Sequence, residues 1–145
     1  MKPIITWIVL ANARTVRVCE NRGPGKGLVA LDGKEWHAEE VPEPRDNAGR
    51  GHSIAGPGMA AVEQTDPQLQ SSIRFVREIS DHLLHAYTAG EFERLVLVSG
   101  PHMLGLLRGH LDDRLLAVTV GEIAKDLSAQ PPAVLVDHIG ELIAV

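Results

Sequence analysis

Phe92-Glu-Arg-Leu-Val-Leu-Val-Ser-Gly-Pro-His-Met-Leu-Gly-Leu-Leu-Arg-Gly-His-Leu111 is the stretch that decides the fold. Leu95–Val98 are consecutive apolar residues, the pattern of a strand covered on both faces, as in a parallel sheet. Ser99-Gly100 makes a tight turn. Pro101 then stands where a helix can begin, because the N–H it lacks would have no partner in the first turn. The spacing predicts a helix over Pro101–Leu111 and a second strand over Leu115–Val120. Strand, helix and strand in that order form a βαβ unit, which sets the class as α/β.

Working outward, Ile4–Ala11 reads as an apolar strand, Asn12-Ala13 as a turn, and Arg14–Glu20 as an alternating strand. Val16 and Val18 share one face of it, and Thr15, Arg17 and Cys19 the other. This pair predicts an antiparallel hairpin with one solvated side. Asn21–Gly27 is a loop. Leu28–Leu31 and Glu35–Val41 supply a weaker third strand at an edge. From Pro42 to Pro67, both included, the chain has four prolines and four glycines, which exclude regular structure. A loop of that length is usually functional or mobile.

Leu69–Ala89 reads as a long helix, with Ile73, Val76, Ile79, Leu83 and Tyr87 on one stripe. Asp66 can cap its start, Pro67 suits its first turn and Gly90 stops it. A last helix begins near Pro131 and buries Val134, Leu135, Ile139 and Leu142, with Ser128 as a possible cap. The state of Gly121–Leu127 stays open. A single domain over residues 1–145 follows: a mixed sheet with an N-terminal hairpin and parallel βαβ strands, flanked by helices.

Composition narrows the function. The 145 residues, 44% hydrophobic, can bury roughly two thirds of their unfolded surface without a disulfide, metal or cofactor. One cysteine, Cys19, fits a reducing compartment. A net charge of −5 argues against nonspecific coating of nucleic acid. An aromatic share of 3% weakens any model built on base stacking. Yet residues 1–30 carry Lys2, Arg14, Arg17, Arg22 and Lys26 against Glu20 alone, enough for a local anion-binding face. Ile4–Leu10 followed by Ala11-Asn12-Ala13 imitates a secretory signal. The run is short, contains Thr6 and Trp7, and its removal would delete a strand, so the expected location is cytoplasmic. No run is long enough to span a membrane.

Four constellations could carry chemistry. Ser99, Gly100 and His102 sit at the carboxyl end of a parallel strand entering a helix, where anions and ligands of α/β sheets bind. There His102 could serve as acid, base or phosphate donor; the plainer reading is a tight connection, since no G-x-S-x-G elbow or P-loop is present. Arg45, Arg50 and His52, around Gly49-Arg-Gly-His52, could approach a phosphate backbone closely. His82 and His85 have a spacing that can share a metal, but they project from the polar side and no third ligand can be named. Glu122 and Asp126 would face one another only on a helix, and Asp112-Asp113 are adjacent; both pairs read as solvated charge. Cys19 reads as structural.

Taken together, the chain resembles the bacterial host attachment family. The likeness rests on Thr6-Trp-Ile-Val-Leu-Ala-Asn-Ala-Arg14, on Gly51-His52 leading to Asp66-Pro67, and on Phe75-Val-Arg-Glu-Ile-Ser-Asp-His-Leu83. It continues through Phe92-Glu-Arg-Leu-Val-Leu-Val-Ser99, Leu104-Gly-Leu-Leu107 and Lys125-Asp-Leu127. That family is similar to the middle domain of archaeal and eukaryotic peptide release factors. The resemblance implies a ribonuclease-H-like arrangement and contact with RNA or the ribosome. Release factors promote peptidyl-tRNA hydrolysis through a Gly-Gly-Gln loop; this chain lacks it and has Gly49-Arg-Gly-His52 instead. The leading expectation is a non-enzymatic cytoplasmic protein using Arg14, Arg17, Arg50 and His52 on phosphate, which affects attachment indirectly. A hydrolase at the Ser99–His102 turn and an adaptor for another protein are the alternatives.

Overall fold

The computed structural model describes residues 2–40 and 66–145. Five strands form one mixed sheet: β1 Thr6–Ala11, β2 Thr15–Asn21, β3 Val29–His37, β4 Arg94–Ser99 and β5 Thr119–Ile123, in the order β3-β2-β1-β4-β5. β1–β2 and β2–β3 are antiparallel, and β1–β4 and β4–β5 parallel. This is the mixed, helix-flanked sheet that the sequence predicts. Helices α1 Pro67–Thr88, α2 Pro101–His110 and α3 Asp113–Ala117 supply one covering layer, and α4 Pro132–Ile139 the other.

Both faces of the central strands are dry. Trp7, Val9, Val18, Leu95 and Leu97 pack with Phe75, Val76, Ile79, Leu83, Leu104 and Leu107. Ile8, Leu10, Cys19, Val96 and Val98 pack with Leu135, Ile139 and Ile143 on the opposite side. The β1–β2 hairpin therefore has no solvated side, contrary to the alternation of β2: α4 and the C-terminal residues cover the face that carries Cys19. Two residues assigned to that cover point outward instead, Val134 at 40% and Leu142 at 39% exposure.

The termini of α1 follow from its sequence. Asp66 Oδ1 accepts from Gln68 N at 2.9 Å, and Pro67 occupies the first turn. Gly90 has φ +80°, and the N–H groups of Gly90 and Glu91 reach back to the carbonyls of Tyr87 and Ala86, closing the end.

Two elements differ from their expected form. The apolar run from Leu115 is first a helical turn, because Asp112 Oδ1 accepts from Arg114 N at 2.9 Å and nucleates α3; the strand begins only at Thr119. Since Gly121–Ile123 is extended, Glu122 and Asp126 do not face one another, and Glu122 pairs with Arg108 on α2. The third strand is continuous over Val29–His37, yet its pairing jumps from Arg17↔Glu35 to Cys19↔Ala30. Leu31–Lys34 bulge out at that jump, with Gly33 at φ +78°. A bulge carrying a lysine blunts an edge strand against unwanted pairing.

Candidate functional site

Because β3 is antiparallel to β2 and β2 to β1, strands β1, β3, β4 and β5 all run the same way. Their carboxyl ends share one edge, with Ala11 level with Ser99. The helices that follow start at this edge, so their N-termini bring partial positive charge to it. Among the described residues, no side chain caps α2 or α4.

Asn12 organises this edge. Its Oδ1 accepts from the N–H groups of Arg14 and Thr15, both at 2.8 Å, and its Nδ2 donates to Ser128 Oγ at 2.9 Å. Ser128 Oγ in turn donates to Asp126 at 2.5 Å. Ser128 is thus a brace between the hairpin turn and the β5–α4 connection, not the cap of α4, whose N-cap position is Pro131.

The expected site residues separate. Arg14 is exposed, and its guanidinium has no hydrogen-bond or ion-pair partner among the described residues. It stands at a cleft of ≈ 700 Å³ lined also by Thr15, His37, Gln68, Ser71 and Ser72, with Glu39 and Glu40. Arg17, by contrast, is turned inward. Its Nε donates to the Ser128 carbonyl at 2.6 Å and its terminal nitrogen to that of Gln130. That guanidinium staples β2 to the segment before α4 and has little left for a phosphate. Arg45, Arg50 and His52 lie outside the described residues.

At the β4–α2 turn, Ser99 is fully buried and its Oγ has no hydrogen-bond partner among the described residues. It belongs to the same sheet face as Leu95 and Leu97. Gly100 is the N-cap of α2, and His102 is exposed. The turn therefore holds no Ser99–His102 hydrogen bond, the link a nucleophile–base pair needs.

Cys19 is also fully buried. Burial pushes its thiol pKa up, an effect that the nearby Arg17 guanidinium, 3.7 Å from Sγ, opposes only in part. The raised value favours the fold while the thiol is neutral. That contribution is intact below the ordinary thiol range and lost as pH rises through the raised value. Native protein is expected to resist a thiol reagent at neutral pH and to label only on unfolding. Stability in alkaline buffer should fall less in Cys19→Ala than in the wild type. Rapid labelling of the folded protein would contradict this.

Two arrangements have no forerunner in the sequence reading. The Trp7 indole N–H donates to Glu20 Oε2 at 3.1 Å, holding an almost buried carboxylate whose other oxygen meets Arg22 at 2.8 Å. A smaller cleft of ≈ 370 Å³ opens beside them, lined also by Asp32, Lys34 and Glu91. His82 stacks on Trp36, while His85 is exposed. No group of three or more metal-ligating side chains forms among the described residues, and no helix there is long and apolar enough to cross a membrane.

A family model described as "Protein required for attachment to host cells" matches residues 7–139, from the second residue of β1 to the end of α4. The chain belongs to this family. The match takes in the Asn12 turn, both helix-bearing layers and all of the sheet except Thr6. No curated protein matches this attachment-family chain. Among solved structures, an archaeal translation termination factor, aRF1, is similar at a TM-score of 0.49 and 14% identity, over 81% of this chain and 29% of that one. Another, titled only "Archaeal protein", gives a TM-score of 0.48 and 18% identity, over 90% and 33% respectively. The attachment-family chain thus spans about a third of the length of these structures.

Proposed function

We propose that this attachment-family protein works as a single non-enzymatic cytoplasmic domain that contacts RNA phosphates, on the ribosome, and affects attachment indirectly. The observation that carries the reading is Arg14: an exposed guanidinium, without a partner among the described residues, on a turn locked by Asn12, at the edge where the helix N-termini collect. The cleft beside it offers donors from Thr15, Gln68, Ser71, Ser72 and His37. Glu39 and Glu40 line the same cleft, so the phosphate rides on the Arg14 rim and does not sink to the floor. Arg50 and His52 join the reading on sequence grounds alone, and sequence resemblance to release-factor middle domains is what singles out the ribosome.

The hydrolase alternative receives no support from the turn, where Ser99 is sealed from solvent. For an adaptor, the exposed large apolar side chains among the described residues come from separate segments: Ile4, Val29, Val120, Val134 and Leu142.

Arg14→Glu is expected to weaken RNA binding and to flatten its salt dependence, lowering the slope of log K against log salt by about 1 to 2. A titration of RNA at several salt concentrations measures both. Binding that ignores salt, or a slope identical in the variant, would overturn the reading.

A further inference from the structure

The Trp36 and His82 rings have centroids 4.7 Å apart and planes 12° from parallel. Trp36 is half-buried on edge strand β3, and His82 is exposed on α1. Their stack is backed by the hydrophobic core on the Trp36 side and meets solvent on the His82 side. Along α1, Ser71, Arg74, Glu78, His82 and His85 recur at intervals of three and four, so they share one stripe. Ser71 lines the cleft beside Arg14. Arg74 is exposed and has no ion pair among the described residues. The helix rises about 16 Å between Ser71 and His82. One stripe therefore leads from the cleft beside Arg14, past a guanidinium with no ion pair among the described residues, to an exposed ring stack.

We propose that the Trp36–His82 stack is a platform for one nucleobase of single-stranded RNA, whose phosphates follow Arg74 up to Arg14. This rests on the RNA reading above and names its ligand class. In a duplex the bases cover one another and present no free face, whereas an unpaired base can turn out and extend a ring stack. Stacking of this kind tolerates any base, so the platform selects for strandedness and not for sequence. The low aromatic share of the chain excludes a platform for many bases; one ring pair serves one. Glu78 is the single carboxylate on the stripe and opposes a passing phosphate.

Fluorescence anisotropy of a labelled short single-stranded RNA, and of the same strand in a duplex, tests the proposal with intact protein. Wild type should prefer the single strand. His82→Ala should lose about tenfold in affinity for it and nothing for the duplex, at an unchanged melting temperature. His82→Phe, which keeps a ring, should restore binding, and Glu78→Lys should strengthen it. If His82→Ala binds like wild type while Arg14→Glu does not, the platform is wrong and the phosphate-contacting edge stands. Equal loss for single strand and duplex would also overturn the platform. No binding of either RNA by wild type would remove both.

Discussion

Trp7→Ala is expected to cost about 3–5 kcal/mol of stability, the largest effect of any single substitution considered for this protein. Trp7 is 1% exposed on β1, and its ring lies 4.6 Å from that of Phe92, which closes the turn from α1 into β4. Truncation removes that contact and leaves a cavity at the junction of sheet and long helix. It also takes the indole N–H from Glu20, a carboxylate left with little water to replace it. Trp7→Phe separates the two losses. The ring survives, the donor does not, and the expected cost is about 1–3 kcal/mol. Trp7→Phe combined with Glu20→Leu should recover much of that cost, because donor and acceptor are then both gone. Denaturant unfolding of the three variants measures these differences. Equal stability of Trp7→Phe and wild type would show that the Glu20 bond contributes nothing.

Arg17→Ala should destabilise the protein by about 2 kcal/mol and leave RNA binding unchanged. Its guanidinium bonds the Ser128 and Gln130 carbonyls, which hold the β5–α4 connection against β2. Loss of that staple loosens the cover over Cys19, so native-state labelling of the thiol should accelerate together with the drop in melting temperature. Arg14→Glu is the converse: Arg14 is exposed and without a partner among the described residues, so the change should affect binding and leave stability within about 0.5 kcal/mol. If Arg17→Ala instead lost RNA affinity at constant stability, the inward role of this side chain would be wrong.

Much of the fold was legible because its decisive signals are local. Leu95–Val98 followed by Gly100-Pro101 announces a covered strand and a helix start within one window. Asp66-Pro67, the Val76–Ile79–Leu83 stripe and Gly90 define α1 in the same way. What escaped depends on residues far apart in the chain. Alternation sent Arg17 and Cys19 to a solvated face, and only α4, more than a hundred positions later, covers it. Leu115–Val120 looked like a strand because short apolar runs carry no usable period; the Asp112 cap, outside the run, decides its first turn. Asn12 read as an ordinary turn residue, since its bond to Ser128 spans most of the sequence. The Trp36–His82 stack joins β3 to α1 across the segment of residues 41–65, and no pattern in either element hints at the other. Ser99 and His102 are neighbours in sequence, yet one is sealed beneath the helix layer and the other faces water.

Co-sedimentation of the tagged protein with ribosomes from its own cells, at low and high salt, tests the central claim most directly. Wild type and Arg17→Ala should pellet with ribosomes at low salt and be released at high salt. Arg14→Glu and an Arg50→Ala/His52→Ala double variant should stay in the supernatant at both. Absence of the wild type from the ribosomal pellet at every salt concentration would contradict the account.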